Sequence, residues 1–265
     1  QTPKFKYISN ISSGSKMPRS DWNLVSNFHF NIPHNTEQSN IGKLLQLINN
    51  CITLQQRKLK LEENLKKAIM QRTFSKKDSF KHVKLRQIAQ FQKGNNIKKS
   101  DLLTNGQYKV VHYADLYKYA PIQKRVLHYT NKAMGTRIPE NSLLFPESDV
   151  TPIGLARTSF LKELNAYAGG DVIIATIISK NVNTGFLSYE INYFKNLLIP
   201  LITGTTVRHI HIDDLKKLDI FLPNKPKQDK IYTILFSQDR IMDYLKTKTF
   251  QLKELKHFLL QNMFI

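Results

Sequence analysis

The sequence has little of what several protein classes require. It contains one cysteine, Cys51, in 265 residues, which excludes a disulfide framework and a cysteine-based zinc site. Its longest apolar stretch, from Val172 to Ile178, is too short to cross a bilayer. The first residue is Gln1 rather than an initiator Met, and no apolar signal core follows it. We therefore expect a cytoplasmic protein whose chain begins inside a longer gene product.

Signatures of catalysis are also missing. The sequence has no Gly-rich phosphate loop and no Asn-Pro-Pro-Tyr motif, with which methyltransferases hold an extruded adenine. A metal-dependent nuclease of the paired-carboxylate type needs two acidic residues and a lysine around the metal. The second half of that pattern is present at Asp214-Leu215-Lys216 and at Glu254-Leu255-Lys256, but the first half, a Pro-Asp at a suitable distance before it, is missing in both cases. His209 and His211 would share one face of a strand, without an evident third metal ligand. We therefore predict no catalysis, cofactor or metal site, and we interpret Cys51 as a buried helix thiol.

Acidic residues are scarce relative to basic ones. Forty Lys and Arg against twenty Asp and Glu give a net charge of +20 and a pI near 9.9. A field of this sign attracts polyanions, and nucleic acid is the first candidate because phosphate binding releases counterions. The charge is concentrated between Arg57 and Lys99, where fourteen basic residues face three acidic ones. General solubility charge is the alternative, whereas a membrane-surface helix would need a broad aromatic face that is missing.

An internal repeat sets the expected architecture. Shifting the chain by 190 residues aligns ten identities without gaps, among them Gly14 with Gly204 and Pro33 with Pro223. Each copy has a glycine turn, an alternating strand, a proline and then a helix of about 35 residues, which would be roughly 50 Å long. The two strands are Phe28-x-Phe30-x-Ile32 and Leu218-x-Ile220-x-Leu222.

The apolar spacing of both helices is typical of coiled coils. In the second helix Leu245, Leu252 and Leu259 form one heptad row, and Ile234, Ile241 and Leu255 form another. We predict that helices near 38–73 and 228–264 pair antiparallel as a coiled coil, the alternative being two separate amphipathic helices. In the first helix, spacings of three and four connect Ile41, Leu44, Leu45, Ile48, Cys51, Ile52, Gln55 and Leu59.

The segment between the helices has a different composition and holds most of the glycines, prolines and tyrosines. It has β-rich runs at Tyr108–Tyr113, Ser142–Phe145 and Val172–Ile177, and a helical stretch from Phe186 to Leu198. The predicted fold class is therefore α+β, with one α+β domain flanked by two long helices.

Several short motifs stand at the borders of this domain. Gly14…Ile32-Pro33…Glu37-Gln38…Ile41 recurs as Gly204…Leu222-Pro223…Gln228…Ile231, with Lys227 in place of the Glu. The start of the domain has Val83-Lys84-Leu85-Arg86-Gln87-Ile88, Phe91-x-Lys93-Gly94 and Val110-x-x-Tyr113-Ala114-Asp115-Leu116. In order and spacing, over nearly the whole chain, these motifs resemble the specificity subunit of type I restriction-modification systems.

The resemblance implies sequence-specific recognition of double-stranded DNA. In such subunits two target recognition domains are each followed by a conserved helix, and cleavage and methylation belong to partner methyltransferase and restriction subunits. The implied boundaries are the tail of a first recognition domain at 1–33, a central conserved helix at 34–76, a target recognition domain at 77–224 and a C-terminal conserved helix at 225–265. Only the tail of a first domain is present, so we expect a fragment or a natural half-subunit that could form a homodimer.

Four groups of residues are candidates for DNA contacts, because they combine base-reading side chains with positive charge on loops. The alternatives are solvated loops, core tyrosines and, for Arg208, an ion pair with Asp213 or Asp214. The groups are Lys93, Asn95, Asn96 and Lys98 in a glycine turn; His112, Tyr113, Tyr117, Lys124 and Arg125; Ser148, Thr151 and Arg157 beside two prolines; and Thr205, Thr206, Arg208 and His209 at the domain exit.

Two other functions remain open at this point. The chain could be the specificity end of a fused restriction-methylation enzyme, which a methyltransferase motif upstream would indicate. It could also be a basic coiled-coil assembly protein that binds RNA or acidic partners, which salt-resistant binding without sequence preference would indicate.

Overall fold

A computed structural model describes residues 7, 12–13, 19–20, 22–27, 29, 32–95, 97–132 and 135–263. The chain divides into two compact units, one formed by Gln1–Leu65 with Gln238–Ile265 and the other by Lys66–Ser237. No helix in the described part of the chain combines the length and the apolarity that crossing a bilayer requires.

Two long helices dominate the secondary structure, as the sequence predicts. Among the described residues, the helices are α1 (Trp22–Ser26), α2 (Asn35–Phe74), α3 (Tyr113–Tyr119), α4 (Pro152–Leu155), α5 (Thr184–Tyr193), α6 (Ile212–Leu215) and α7 (Lys225–Asn262). The strands are β1 (Ser12–Ser13), β2 (Arg19–Ser20), β3 (Lys81–Lys84), β4 (Ala89–Lys93), β5 (Tyr108–Val111), β6 (Ile122–Gln123), β7 (His128–Thr130), β8 (Thr136–Arg137), β9 (Ser142–Pro146), β10 (Ser148–Asp149), β11 (Ser159–Leu161), β12 (Ala166–Ala168), β13 (Val172–Ile177), β14 (Arg208–His209) and β15 (Asp219–Leu222). The predicted α+β class with two flanking helices is confirmed.

A five-stranded sheet in the order β4-β13-β9-β11-β6 forms the centre of the unit 66–237. β13 and β9 are almost entirely buried, which explains why both appear in the sequence as short continuous apolar runs. A second sheet, in the order β7-β5-β12-β8, lies beside it. Both sheets are mixed, because β11 pairs with β6 and β12 pairs with β5 in parallel while their other partners are antiparallel.

The central sheet separates two hydrophobic clusters. Ile173 and Ala175 belong to a cluster that includes Phe74 and Phe186, whereas Ile174 belongs to one that includes Val111 of the second sheet. This division follows from the alternation of side chains along β13. The helix that covers the first face, α5, packs against β9, β11 and β15. The strands therefore hold the loops at their ends on a rigid frame.

The second copy of the repeated strand has the predicted alternation. In β15 Ile220 and Leu222 are buried, and Asp219 and Phe221 are half-buried. In the first copy of the repeat, Gly14, Phe28 and Phe30 lie outside the described residues. Asn96, a predicted DNA contact, and Phe264, the last residue of the second predicted helix, also lie outside them. His29 and Ile32 belong to no helix or strand. The strand predicted at 28–32 therefore stays a prediction.

The proline and glutamine of the repeated motif make the same hydrogen bond in both copies. Gln38 donates from Nε2 to the Pro33 carbonyl at 2.8 Å, and Gln228 donates to the Pro223 carbonyl at 2.8 Å. Each bond satisfies a carbonyl at the start of a long helix, where the backbone itself offers no partner. The fixed spacing of five residues between Pro and Gln has this contact as its physical cause.

Burial along each long helix follows a heptad row, which we call the inner row. Its members are spaced alternately by three and four residues, and the rows of the two helices occupy positions related by the 190-residue shift. A row of this kind is what pairing in a coiled coil buries. The inner row comprises Ile41, Leu45, Ile48, Ile52, Gln55, Leu59 and Glu62 in α2, and Gln238, Met242, Leu245, Thr249, Leu252, Lys256 and Leu259 in α7.

Part of the predicted apolar pattern lies outside the inner rows. The row of Ile234, Ile241 and Leu255 is exposed, and so are Leu44 and Cys51. The burial predicted for Cys51 was therefore wrong. The physical reason is that a helix with one partner buries only a narrow strip, and these residues lie one position beside it. The antiparallel pairing itself stays a prediction, which the presence of 1–65 and 238–265 in one compact unit supports.

Candidate nucleic-acid interface

A short ribbon joins two of the predicted groups of DNA contacts. β10 and β14 pair antiparallel, with Ser148 opposite His209 and Asp149 opposite Arg208. The Ile210 N–H extends the attachment by donating to the Glu147 carbonyl at 3.1 Å, and Thr203 and His209 close the exit turn itself by exchanging two hydrogen bonds of 2.9 and 2.8 Å. The domain exit is thereby fixed to the proline-flanked turn that precedes it in the sequence by about sixty residues.

The turn that enters β14 depends on Gly204. Its φ angle of 97° lies in the left-handed region, and a Cβ at this position would lie 2.4 Å from the Val207 carbonyl oxygen. Only glycine adopts this conformation without strain. The turn presents Thr205 and Thr206 as exposed residues at its tip.

Arg208 is half-buried at the base of this turn. Its Nη1 donates to the Gly204 carbonyl at 3.1 Å, and its Nε is buried without a hydrogen-bond partner. The alternative in which Arg208 pairs with an aspartate was wrong, because Asp213 pairs with Lys216 at 2.8 Å and Asp214 pairs with Lys217 at 2.9 Å. These i,i+3 pairs within and just after α6 satisfy both carboxylates locally.

Tyr117 and Arg157 hold the ribbon in place through hydrogen bonds to backbone carbonyls. Tyr117 donates its hydroxyl to the Ser148 carbonyl at 3.2 Å. Burial, with the nearby carboxylate of Asp149, raises the pKa of Tyr117, so the phenol remains a neutral donor. Arg157 donates to the carbonyls of Tyr117 at 3.0 Å and Ile153 at 3.2 Å, and its guanidinium lies 4.9 Å from the Tyr117 ring centre. Arg157 therefore holds the frame together.

Asp149 fixes the neighbouring turn. Its Oδ1 accepts from the backbone N–H of Thr151 at 2.7 Å and from the Thr151 hydroxyl at 3.2 Å. The same hydroxyl accepts from the Gly154 N–H at 3.1 Å and caps α4. Burial opposes ionisation of Asp149, but the proximity of the Tyr117 hydroxyl and hydrogen bonds from Thr151 outweigh it and lower the pKa. We call Tyr117, Ser148, Thr151, Arg157, Thr205, Thr206, Arg208 and His209 the ribbon surface.

Other predicted contacts lie next to the ribbon surface or away from it. Lys93 pairs with Glu147, the residue just before β10. Tyr113 has its ring 6.0 Å from that of Tyr117 but packs partly against the second hydrophobic cluster. Exposed Lys124 has its ammonium 5.5 Å from the ring of Phe236 in α7. The remaining exposed candidates are Asn95 and Lys98 in the loop after β4, and Arg125 next to Lys124.

His112 is not available for DNA contact, which corrects its prediction. It is buried and caps α3, with Nδ1 accepting from the Ala114 N–H at 3.3 Å. Its own N–H donates to Asp115 at 3.0 Å. Burial lowers the pKa of His112, which favours the neutral imidazole that can accept this bond. The capping pattern His-x-x-Asp was a signal in the sequence for this role.

His209 and His211 share one face, as predicted. Their rings stack at 6.1 Å with an interplanar angle of 6°. Within the described ranges, no three His, Cys, Asp or Glu side chains are grouped so that they could hold a metal ion.

No sequence motif indicates a groove of about 410 Å³ that lies beside the second sheet. Arg137 donates from Nη2 to Asn165 Oδ1 at 3.0 Å at this groove. These side-chain types suit base edges, but they come from separate strands, so only strand pairing brings them together. The groove is lined by Gln107, Tyr108, Lys109, Arg137, Asn165 and Tyr167.

Solved structures with a similar fold are specificity subunits. The S subunit of the type I restriction-modification system from M. genitalium matches with a TM-score of 0.67 and 12% identity, over 98% of this chain and 69% of that one. The HsdS subunit from Thermoanaerobacter tengcongensis matches with a TM-score of 0.54 and 18% identity, over 96% of this chain and 66% of that one.

Sequence comparison leads to the same group of proteins. The type I restriction enzyme MjaVIII specificity subunit of Methanocaldococcus jannaschii is 22% identical over 277 residues, and the match covers 96% of this chain. The chain spans 65% of the length of that relative. Residues 77–254 match the family described as "Type I restriction modification DNA specificity domain". Because this match covers more than half of the chain, the protein belongs to the type I restriction-modification DNA specificity family.

Proposed function

We propose that this chain recognises a specific double-stranded DNA sequence in the cytoplasm, as a type I specificity subunit or as half of one, and catalyses no reaction itself. The observation that carries the proposal is the ribbon surface, in which two predicted DNA-contact loops form one two-stranded ribbon. The major groove of B-DNA is wide enough to admit such a ribbon. The net charge of +20 supplies attraction that does not depend on sequence.

The ribbon surface is suited to reading bases because its frame is fixed before DNA arrives. Tyr117, Arg157 and Asp149 use their polar groups on the protein itself. Arg208 has five N–H donors, of which one on Nη1 is used on Gly204 and the one on Nε is buried. The donors left over can fork to a guanine edge or clamp a phosphate. Hydroxyls of Thr205 and Thr206 add donors and acceptors at the tip.

Replacement of Arg208 by alanine separates these two roles. If Arg208 reads a base, affinity for the cognate site falls by about 1–3 kcal/mol and specificity relaxes at one position. If it holds a phosphate, cognate and non-cognate duplexes weaken alike and the salt slope falls by about one unit. Fluorescence anisotropy at several salt concentrations distinguishes these outcomes.

Arg86→Ala is the matched control, because Arg86 is an exposed arginine that is not among the predicted DNA contacts. It should leave the ranking of duplexes unchanged. The placement of the interface would be wrong if Arg208→Ala lowered the melting temperature while the folded protein kept its full affinity and specificity for DNA.

The same helices offer a surface for partner subunits. Beside the inner row of α2, exposed Leu44, Leu47, Leu54, Leu61 and Leu65 follow a second heptad spacing. We call these residues and their counterparts in α7 the outer rows. The counterparts are exposed Ile241, Tyr244, Leu255 and Phe258.

We also propose that each outer row binds helices of a methyltransferase subunit, because exposed heptad rows require a partner. The rows are related by the 190-residue shift, so two equivalent subunits are expected. Lysines and arginines flank both rows, which favours acidic helices over a second copy of this chain. Binding of a restriction subunit would follow assembly of this complex.

Analytical ultracentrifugation tests this assignment. We expect a larger complex to form when the methyltransferase subunit is added. Leu47→Asp with Leu61→Asp should abolish that complex and leave DNA affinity unchanged. Concentration-dependent dimerisation that the same double variant abolishes would instead assign the outer rows to the homodimer.

A further inference from the structure

Three aliphatic side chains at the end of the ribbon are exposed to solvent. Val150 is 71% exposed, Ile153 is 59% exposed and Val207 is 50% exposed. In the ribbon Asp149 lies opposite Arg208. Continuing this antiparallel register by one residue places Val150 opposite Val207, just beyond the two paired strands.

These valines are held in place by contacts already described for the ribbon surface. Val150 stands between Asp149 and Thr151, which are bonded to each other at 2.7 Å. Val207 closes the turn that the left-handed Gly204 permits. A Cβ at Gly154 would lie 2.0 Å from Asp149 Oδ2, so α4 packs closely on the same turn. The two apolar side chains are therefore presented to solvent by a rigid frame.

The surroundings of the valines fit DNA better than a protein partner. Exposed Thr151 and Thr206 are the chain neighbours of Val150 and Val207, so polar residues flank the aliphatic side chains. A stable protein interface buries about 800 Å² on each partner, over roughly 20–30 residues. The 5-methyl group of thymine, in contrast, is a single apolar group on the floor of the major groove and is read by apolar contact.

We propose that Val150 and Val207 read the 5-methyl group of thymine in the major groove. This inference rests on the proposed function, since it requires the ribbon surface to face DNA. It assigns a pyrimidine preference to named residues: thymine is favoured over cytosine at the position under the valines, because only thymine carries the methyl group.

Replacement of thymine by uracil tests the proposal, because uracil lacks only that methyl group. The probe is a duplex that the full chain selects from a random pool, with each thymine replaced in turn. At one or two positions the wild-type affinity should fall about fourfold, which corresponds to the loss of one buried carbon at ~0.8 kcal/mol. Val150→Thr and Val207→Thr keep the side-chain shape and should remove the sensitivity to uracil at those positions.

Ile178→Thr is the control, because Ile178 is also exposed but lies away from the ribbon, at the end of β13. It should bind with the wild-type sensitivity to uracil. A selected duplex in which no uracil replacement matters, or valine variants that stay as sensitive as the wild type, would overturn the methyl reading and leave the proposed function intact. Selection that yields no motif would overturn the proposed function as well. Valine variants that weaken only binding of a partner subunit would assign the patch to protein docking, against the proposal.

Discussion

Gln38 and Gln228 make the same hydrogen bond in different surroundings. Gln38 is exposed, whereas buried Gln228 also accepts from the Asn183 N–H at 2.9 Å and donates to the Asn181 carbonyl at 3.1 Å. Gln228→Ala would leave these buried backbone groups unsatisfied, so we expect the free energy of unfolding to fall by about 1–3 kcal/mol.

Gln38→Ala is the matched control, with an expected change within ~0.5 kcal/mol because the freed carbonyl can bind water. Urea unfolding of both variants measures the difference. Equal effects of the two substitutions would show that the contacts of Gln228 with Asn181 and Asn183 contribute nothing beyond the shared bond.

Glu190 gives the stability of the domain a pH dependence. Its carboxyl is completely buried in α5, with one oxygen accepting from the Phe221 N–H at 3.0 Å and the other without a partner. Burial raises the pKa of Glu190 from 4.5 to about 8, because the charged form loses its hydration. The stability that the protonated carboxyl provides is complete below pH 4.5 and is lost as pH rises to about 8.

Glu190→Gln keeps an acceptor for Phe221 and cannot ionise. We therefore expect this variant to lose less stability than the wild type between pH 5 and pH 8.5, as measured by urea unfolding at several pH values. Parallel stability profiles for the two proteins would contradict a raised pKa at this position.

At the scale of elements, the sequence predicts where the long helices lie but not which apolar row of each helix is buried. The 190-residue repeat fixed where both helices lie, and the structure has them at Asn35–Phe74 and Lys225–Asn262. The buried row was ambiguous because the inner and outer rows are both largely apolar and are offset by only one residue along the helix. Gln238 and Thr249 lie in the inner row of α7, whereas Ile241 lies outside it, so hydrophobicity alone favours the wrong row.

Truncation of one leucine from each kind of row tests this assignment. Leu245 is 2% exposed in the inner row, and Leu54 is 63% exposed in the outer row. Leu245→Ala should reduce the free energy of unfolding by about 2–5 kcal/mol. Leu54→Ala should change it by ~0.5 kcal/mol or less in the isolated chain. Similar losses in thermal or urea unfolding would mean that the inner rows are misassigned.

Two buried glutamines predict the register of the coiled coil. The side-chain oxygens of Gln55 and Gln238 are buried without a hydrogen-bond partner, and both residues lie in the inner rows of one compact unit. If Ile48 faces Leu245 in an antiparallel pair, Gln55 faces Gln238, because each is seven residues further in opposite directions. Such a buried polar pair selects one register at some cost in stability.

Cysteine cross-linking measures this register directly. In a Cys51→Ser background, Gln55→Cys with Gln238→Cys should form an intramolecular disulfide, since a disulfide requires Cα atoms about 4.4–6.8 Å apart and only facing positions come this close. Ile48→Cys with Gln238→Cys places the thiols two turns apart and should not. A disulfide in the second variant alone would contradict the antiparallel register.

At the scale of the whole molecule, the sequence located the elements of the candidate site but not their arrangement. The exit turn with Arg208 and the turn with Ser148 were separate candidates, and only the pairing of β10 with β14 joins them. The groove at Arg137 likewise depends on a contact with Asn165, from a distant segment. Such contacts depend on strand register, which the sequence specifies only through the packing of the complete domain.

The central claim, that the ribbon surface gives this chain a DNA sequence preference, is tested most directly by selection from random duplexes. The full chain, bound at near-physiological salt, should enrich duplexes that share one motif of a few base pairs, since residues 77–254 match one specificity domain. Arg208→Ala should change or blur at least one position of that motif. Enrichment without any shared motif, with affinity governed only by salt concentration, would contradict sequence-specific recognition and leave a basic protein that binds polyanions through charge alone.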